Sequence, residues 1–208
     1  MDTITLALAK GRTAKDSIAL LKRMNIHFND FHEKSRKLVF YSQDQTVKLI
    51  FVKAVDVPTY VEKGAADVGI VGRDNILEAQ ANVYEMLDLG IGKCRFVVAG
   101  YDDSSLSDKQ KWMVASKYPA VTKNYFQKRN QTIDTIKLNG SVELAPLIGL
   151  ADCIVDIVET GTTLDENGLT ILEEMETIST RLIVNKASFA TKTTTIQDFI
   201  NNLKETLE

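Results

Sequence analysis

The sequence predicts an α/β protein of two lobes with mainly parallel strands around a cleft, and three observations carry that reading. Short β-rich runs alternate with segments of helical apolar spacing along the whole chain. Two stretches, 90–99 and 178–186, are placed where the chain would leave one lobe and return to it. The first lobe is then discontinuous, 1–92 plus 183–208, and the second is 93–182. Finally, 208 residues with 44% hydrophobic content are enough to bury an ample core. Clefts between such lobes are favoured ligand sites, and paired crossings make a natural hinge.

Each element follows from local pattern. Residues 3–9 alternate and are β-rich, a first strand. Lys10-Gly11-Arg12 turns it into a helix over 13–24, with apolar residues at 14, 18, 20, 21 and 24. Two cations at such a turn make a candidate anion site, although a surface turn with solvated Lys and Arg has the same pattern. Residues 25–37 are polar and end in Lys34-Ser35-Arg36-Lys37, which taken alone is a solvated charge run. Strands follow at 38–41 and 47–52. Asp56-Val57-Pro58 starts a helix, with Asp as cap and Pro in the first turn, ending by Gly64. Residues 67–72 form a short buried strand whose glycines allow close backbone approach, and Arg73-Asp74-Asn75 opens another helix.

Strands at 83–89 and 94–99 flank Gly90 and Gly92, and a polar loop spans 101–111. A strand at 112–115, a helix at 119–129, a strand at 133–138 and a short helix at 143–150 come next. After residue 164 the chain gives strand regions at 168–173 and 176–185, then a tail with helical spacing over 186–207.

The densest chemistry lies in residues 151–164. Ile154, Val155, Ile157 and Val158 have a buried-strand composition. Asp152, Asp156 and Glu159 place carboxylates along and just past that strand, and Thr160-Gly161-Thr162-Thr163 turns into a helix start. Such a turn offers amides, hydroxyls and a helix dipole to one anion, most naturally a phosphate. Carboxylates repel phosphate but suit hydroxyls or a divalent metal. Phosphate, hydroxyls and metal together describe a sugar phosphate. An ordinary strand-to-helix turn capped by threonine has the same pattern, and Glu159 read alone fits a helix cap.

Composition excludes several classes. A net charge of −3 gives no basic field for nucleic acid. Cys94 and Cys153 have neither metal-ligand nor disulfide-framework spacing. His27 and His32, the only histidines, lie in a polar connection, which argues against a triad or a His-rich metal site. No segment approaches 18 consecutive apolar residues and the amino-terminal apolar run is short, so a soluble cytoplasmic protein is expected.

Five ordered motifs carry a family likeness. They are Leu8-Ala-Lys-Gly-Arg12, Ser35-Arg-Lys-Leu38, Asp56-Val-Pro-Thr-Tyr-Val61, Gly64-Ala-Ala-Asp-Val-Gly-Ile-Val-Gly72 and Asp156-Ile-Val-Glu-Thr-Gly-Thr-Thr163. Together they resemble the catalytic chain of the ATP phosphoribosyltransferase family, the first enzyme of histidine biosynthesis, over nearly the whole length. The length is similar to the family's short form, which works without a carboxy-terminal regulatory domain. The resemblance implies a fold like the type II periplasmic binding proteins. It implies attack of adenine N1 of ATP on the anomeric carbon of 5-phosphoribosyl 1-pyrophosphate (PRPP), with loss of pyrophosphate and with Mg2+ held mainly by substrate phosphates.

The same resemblance distributes roles. Arg12 and Arg36 match the motif arginines and are expected at the pyrophosphate or the ATP phosphates, with Arg36 reaching across a subunit interface. Lys10 and Gly11 are expected near ATP or pyrophosphate. Arg73 and Asp74 are further ATP contacts, or a surface pair. Residues 160–163 would cradle the 5-phosphate, with Asp156, Glu159 and Asp152 toward the ribose hydroxyls. A histidyl-tRNA-synthetase-like regulatory subunit and a homodimer of catalytic chains are the implied partners. The competing reading is a two-lobed solute-binding or effector-sensing module, because fold does not fix function.

Overall fold

The computed structural model describes residues 3–32, 34–101 and 110–208, with the Arg12 side chain outside the described atoms. Of the polar loop expected at 101–111, residues 102–109 lie outside the described residues. The chain divides into two compact units, 1–92 with 179–208, and 93–178.

In the first unit, β1 (Ile4–Ala9), β2 (Val39–Tyr41), β3 (Val47–Val52), β4 (Val68–Gly72), β5 (Tyr84–Asp88) and β11 (Thr180–Val184) form a sheet of order β2-β3-β1-β4-β11-β5. Its helices are α1 (Arg12–Arg23), α2 (Val57–Glu62), α3 (Arg73–Ala79), α7 (Lys186–Thr191) and α8 (Thr193–Leu207). Strand alternation sends side chains to two cores. Leu6, Leu8, Val68, Ile70, Leu182 and Val184 join Ile18 and Leu21 of α1 and Phe199 and Leu203 of α8. Ala7, Ala9, Val71 and Ile183 join Val57 and Val61 of α2 and Ile76 of α3. Both faces are therefore covered, which is why these strands read as continuous apolar runs. Each fully buried Leu, Ile or Phe contributes about 1.5–3 kcal/mol over its exposed state. Gly69 shows the close approach expected of this strand: a Cβ there would lie 2.8 Å from Val61 Cγ2 and 2.9 Å from Val57 Cγ1.

In the second unit, β6 (Cys94–Gly100), β7 (Trp112–Ser116), β8 (Ile133–Lys137), β9 (Cys153–Val158) and β10 (Thr170–Ile178) form a sheet of order β10-β6-β9-β7-β8. The helices are α4 (Pro119–Lys128), α5 (Leu144–Leu147) and α6 (Thr162–Glu166). Val97, Ala99, Ala115, Ile154 and Val158 pack with Ala145 and Leu164, which seats α5 and α6 on one face. Phe126 of α4 meets the Trp112 ring edge-on at 5.9 Å, and Phe96 meets Tyr118 at 5.1 Å.

The two-sheet α/β class holds, but the pairing is mixed rather than mainly parallel. Parallel ladders run through the middle of the first sheet, β3-β1-β4, and one side of the second, β9-β7-β8. The ladders β2–β3, β4–β11, β5–β11, β6–β9 and β6–β10 are antiparallel. A tight turn joins β2 to β3, and β6 and β11, the strands at the two crossings, run against their neighbours.

Local boundaries also differ from the sequence reading. The return to the first unit falls at 179 rather than 183, because Thr180 already exchanges backbone bonds with Leu89 and Ile91. The two strand regions expected at 168–173 and 176–185 are divided differently: β10 runs to Ile178, with register shifts against β6 after Ile171 and after Glu174, and β11 follows. The tail is two helices, interrupted at Lys192, whose Nζ turns back to Asp67 Oδ2 at 3.0 Å and Thr3 O at 3.2 Å. Asp56 occupies the N-cap position of α2, but its side chain makes no capping bond, since a short 3-10 turn (Ala54–Asp56) leads into the helix and leaves it with helical dihedrals.

Candidate active site

In the second unit β9 delivers a half-buried Asp156 and then the exposed Glu159, Thr160, Thr162 and Thr163. Gly161 closes the turn at φ 95°, a left-handed conformation that a side chain would strain. Its carbonyl accepts from the amides of Leu164 (2.9 Å) and Asp165 (3.1 Å). The hydroxyls of Thr160 and Thr162 lie 3.0 Å apart, and the Thr162 amide has a long 3.5 Å contact to Thr160 Oγ1. The helix that follows has only five residues, so any anion held here would rest on turn amides and hydroxyls more than on a helix dipole.

Residues 156–164 line a pocket of about 240 Å³, and Glu143 completes its wall. The pocket sits at the carboxyl end of β9, the end where parallel strands place ligand sites. Buried Ser116 fixes that end of β7 against β9, its hydroxyl donating to Val155 O at 2.6 Å and accepting from the Tyr118 amide at 2.8 Å.

Asp152 does not join this group. It precedes β9 at the opposite end, about 20 Å away at the rise of an extended strand. There its Oδ2 accepts from the Met113 amide at 2.8 Å, a structural tie between β7 and β9.

Cys153 is fully buried at the start of β9, and burial, with the charges of Asp152 and Glu173 adding, pushes its thiol up to about 12. Such a thiol is inert. Native protein treated with a thiol reagent near neutral pH should leave Cys153 unmodified, with label appearing in mass spectra only after denaturation. Labelling of native protein at Cys153 would contradict this.

In the first unit the Lys10-Gly11 and Ser35-Arg36 motifs meet. Lys10 Nζ donates to Ser35 O at 2.8 Å and lies 5.7 Å from the Phe51 ring centroid. Gly11 is the N-cap of α1. A pocket of about 690 Å³ opens here, with Lys10, Lys15, Lys22 and Lys37 over an aromatic floor of Phe31, Phe40 and Phe51. Arg36 is exposed, and Arg12 begins α1 with its side chain outside the described atoms.

Arg73 and Asp74 reach the same sheet end by a different strand. Leu8 is level with Ile70 in the parallel β1–β4 ladder, so Gly72 and Lys10 leave the sheet together. Yet Arg73 Nε faces Glu85 Oε2 at 3.4 Å, and Asp74 is buried with Asn75 donating to it at 2.9 Å. Neither lines the pocket beside Lys10.

Among the described residues no group of three or more His, Cys, Asp or Glu is placed to hold a metal ion. No helix of the described residues is long and apolar enough to cross a membrane.

Comparison with known proteins adds three findings. The family model described as HisG, ATP phosphoribosyltransferase, matches residues 53–205. The chain is 63% identical over 203 residues to the ATP phosphoribosyltransferase of Oceanobacillus iheyensis, covering 98% of each. Among solved structures it is similar to a chain of the ATP phosphoribosyl transferase (HisG:HisZ) complex from Thermotoga maritima, at TM-score 0.86 and 35% identity, covering 99% of this chain and 98% of that one. It also shares its fold with the periplasmic aliphatic sulphonate binding protein SsuA from Escherichia coli, at TM-score 0.60 and 14% identity, covering 100% of this chain and 73% of that one.

Proposed function

The chain belongs to the ATP phosphoribosyltransferase family, and from that premise we propose how its residues divide the work. The enzyme transfers the 5-phosphoribosyl group of PRPP to N1 of ATP, giving N1-(5-phosphoribosyl)-ATP and pyrophosphate, the first step of histidine biosynthesis. The full-length identity to a named transferase carries this conclusion. The likeness to a solute-binding protein at 14% identity concerns the fold alone. Purified protein mixed with ATP, PRPP and magnesium should form phosphoribosyl-ATP and pyrophosphate. Binding of both substrates without turnover would favour a sensing module instead.

Adenine N1 already carries a lone pair, so the chemistry needs no strong base to create the nucleophile. The barrier lies in the bond to pyrophosphate, where negative charge develops as the ribose becomes cationic. Preorganised cations therefore contribute most. Arg12, Arg36, Lys10 and the Gly11 turn serve the ATP and pyrophosphate phosphates from the first unit. Arg73 and Asp74 act one step back, given the ion pair and burial that already engage them. The turn 160–163 holds the 5-phosphate, and Asp156 and Glu159 face the ribose hydroxyls. Asp152 is left out of this assignment, since its carboxylate is engaged at the far end of β9.

Magnesium fits this donor set, because carboxylate and hydroxyl oxygens are hard ligands. Asp156 and Glu159 would meet it while substrate phosphates and water supply most of its shell, and when bound it neutralises charge on the departing pyrophosphate. The enzyme is assigned to the cytoplasm, with its nucleotide substrates. A homodimer of catalytic chains joined by a histidyl-tRNA-synthetase-like regulatory subunit is the proposed assembly, supported by the similarity to a chain of the HisG:HisZ complex.

Thr162→Val tests the cradle. It replaces the hydroxyl with a methyl of similar size, so KM for PRPP should rise about tenfold, the loss of one hydrogen bond to a charged group, with KM for ATP unchanged. Wild-type kinetics in this variant would remove the cradle assignment.

A further inference from the structure

The pocket beside β9 is walled by like charges. Among the described residues its lining holds three carboxylates, Glu143, Asp156 and Glu159, and no lysine or arginine. A phosphate ester at 160–163 brings a charge of about −2 near neutral pH. Turn amides and hydroxyls alone would have to hold that anion against its own surroundings. A cation from a neighbouring strand would offset the repulsion.

The register of the sheet points to one. β7 lies between β8 and β9, with Ser116 level with Lys137 on one side and Val155 on the other. One residue further along the same ladder, Lys117 comes level with Asp156, about 4.8 Å away at the spacing of adjacent strands. Alternation gives its side. Met113 and Ala115 pack toward α5 and α6, whereas Tyr118 meets Phe96 on the opposite face, so Lys117 falls on the face that carries the pocket. Lys117 is half-buried, with its Nζ 5.4 Å from the Tyr118 ring centroid, and makes no ion pair or side-chain hydrogen bond among the described residues. Two other cations at this end of the sheet are placed differently. Lys137 stands between Ile136 and Leu138, which both pack toward α5 and α6, so its own side chain leaves by the other face. Arg95 Nε pairs with Glu174 Oε1 at 3.0 Å.

We propose that Lys117 is the cation of the phosphoribosyl site, its ammonium leaving the Tyr118 ring to pair with the 5-phosphate held by residues 160–163. This inference rests on the phosphoribosyl site proposed above. A lysine suits the task, because its compact charge rides on a flexible four-carbon stem. The ring contact keeps that charge near the pocket without neutralising it.

Full-length Lys117→Gln keeps most of the stem and drops the charge. It is titrated with inorganic phosphate and with ribose 5-phosphate in metal-free buffer, followed by NMR shifts of the amides at 160–163. Both ligands should bind about tenfold more weakly than to wild type, the loss of one hydrogen bond between charged groups. The deficit should shrink as salt is raised, because salt screens a pair that stands partly in water. Lys117→Arg should recover most of the affinity, and Lys137→Gln should match wild type. In turnover Lys117→Gln should raise KM for PRPP and leave KM for ATP unchanged, a split that general damage to the fold would not give. Unchanged affinity for both ligands in Lys117→Gln overturns the proposal. So does an equal loss in Lys137→Gln, which would mean that net charge alone attracts the ligand, and so does a loss that Lys117→Arg leaves unrepaired. Wild-type protein whose turn amides respond to neither ligand would instead remove the phosphoribosyl site, and this inference with it.

Discussion

Arg36→Ala should lower the single-turnover rate on the order of a hundredfold, the scale of removing one preorganised donor from a developing anion, with KM for ATP changed much less. Single turnover is the right measurement because product release can hide a chemical step. The geometry around Arg36 supports a role in ligand contact. On one side Ser35 is pinned through its carbonyl to Lys10. On the other, Lys37 Nζ pairs with Asp30 Oδ2 at 2.7 Å and lies 5.1 Å from the Phe40 ring centroid. Between them Arg36 is exposed and makes no hydrogen bond or ion pair among the described residues. Its backbone is positioned while its five donors stay available. Arg36→Lys keeps the charge but loses the planar fork that engages phosphate oxygens in pairs. It should therefore fall between wild type and alanine. A wild-type rate in Arg36→Ala would end this assignment.

The two candidate pockets were legible to different degrees, for a physical reason. The turn at 160–163 is written in adjacent residues, so local chemistry suffices to find it. Asp152 is close in sequence but stands at the other end of an extended strand, where a rise of about 3.3 Å per residue separates it from the turn. Glu143 shows the converse. Its place beside residue 160 comes from the parallel register of three strands, which no local pattern records. The Lys10 and Ser35 motifs meet through a hydrogen bond spanning 25 residues, and only their family likeness linked them beforehand. The same division holds for the fold. The inner runs of β1 and β4 declare their strands through composition, whereas whether β11 runs with or against β4 depends on where the chain re-enters the sheet.

Asp67→Ala should destabilise the first unit by about 3 kcal/mol, the low end for breaking a buried ion pair. Asp67 is 6% exposed, and its Oδ2 accepts from the Thr5 amide at 2.8 Å and from Lys192 Nζ at 3.0 Å. One oxygen thus ties the start of β4 to β1 and to the break between α7 and α8, 125 residues further along the chain. The low end applies because the Lys192 side chain is 30% exposed and can turn to water, whereas the Thr5 amide loses its acceptor outright. Removing the carboxylate also releases Lys192 from the point where it interrupts the tail, so α8 loses an anchor at its amino end. Asp67→Asn keeps an acceptor for both donors and should cost less than half as much. Urea unfolding followed by circular dichroism should show the midpoint shift with little change in slope. An alanine variant with the wild-type midpoint would mean that Asp67 is not the clasp between β1, β4 and the carboxy-terminal helices.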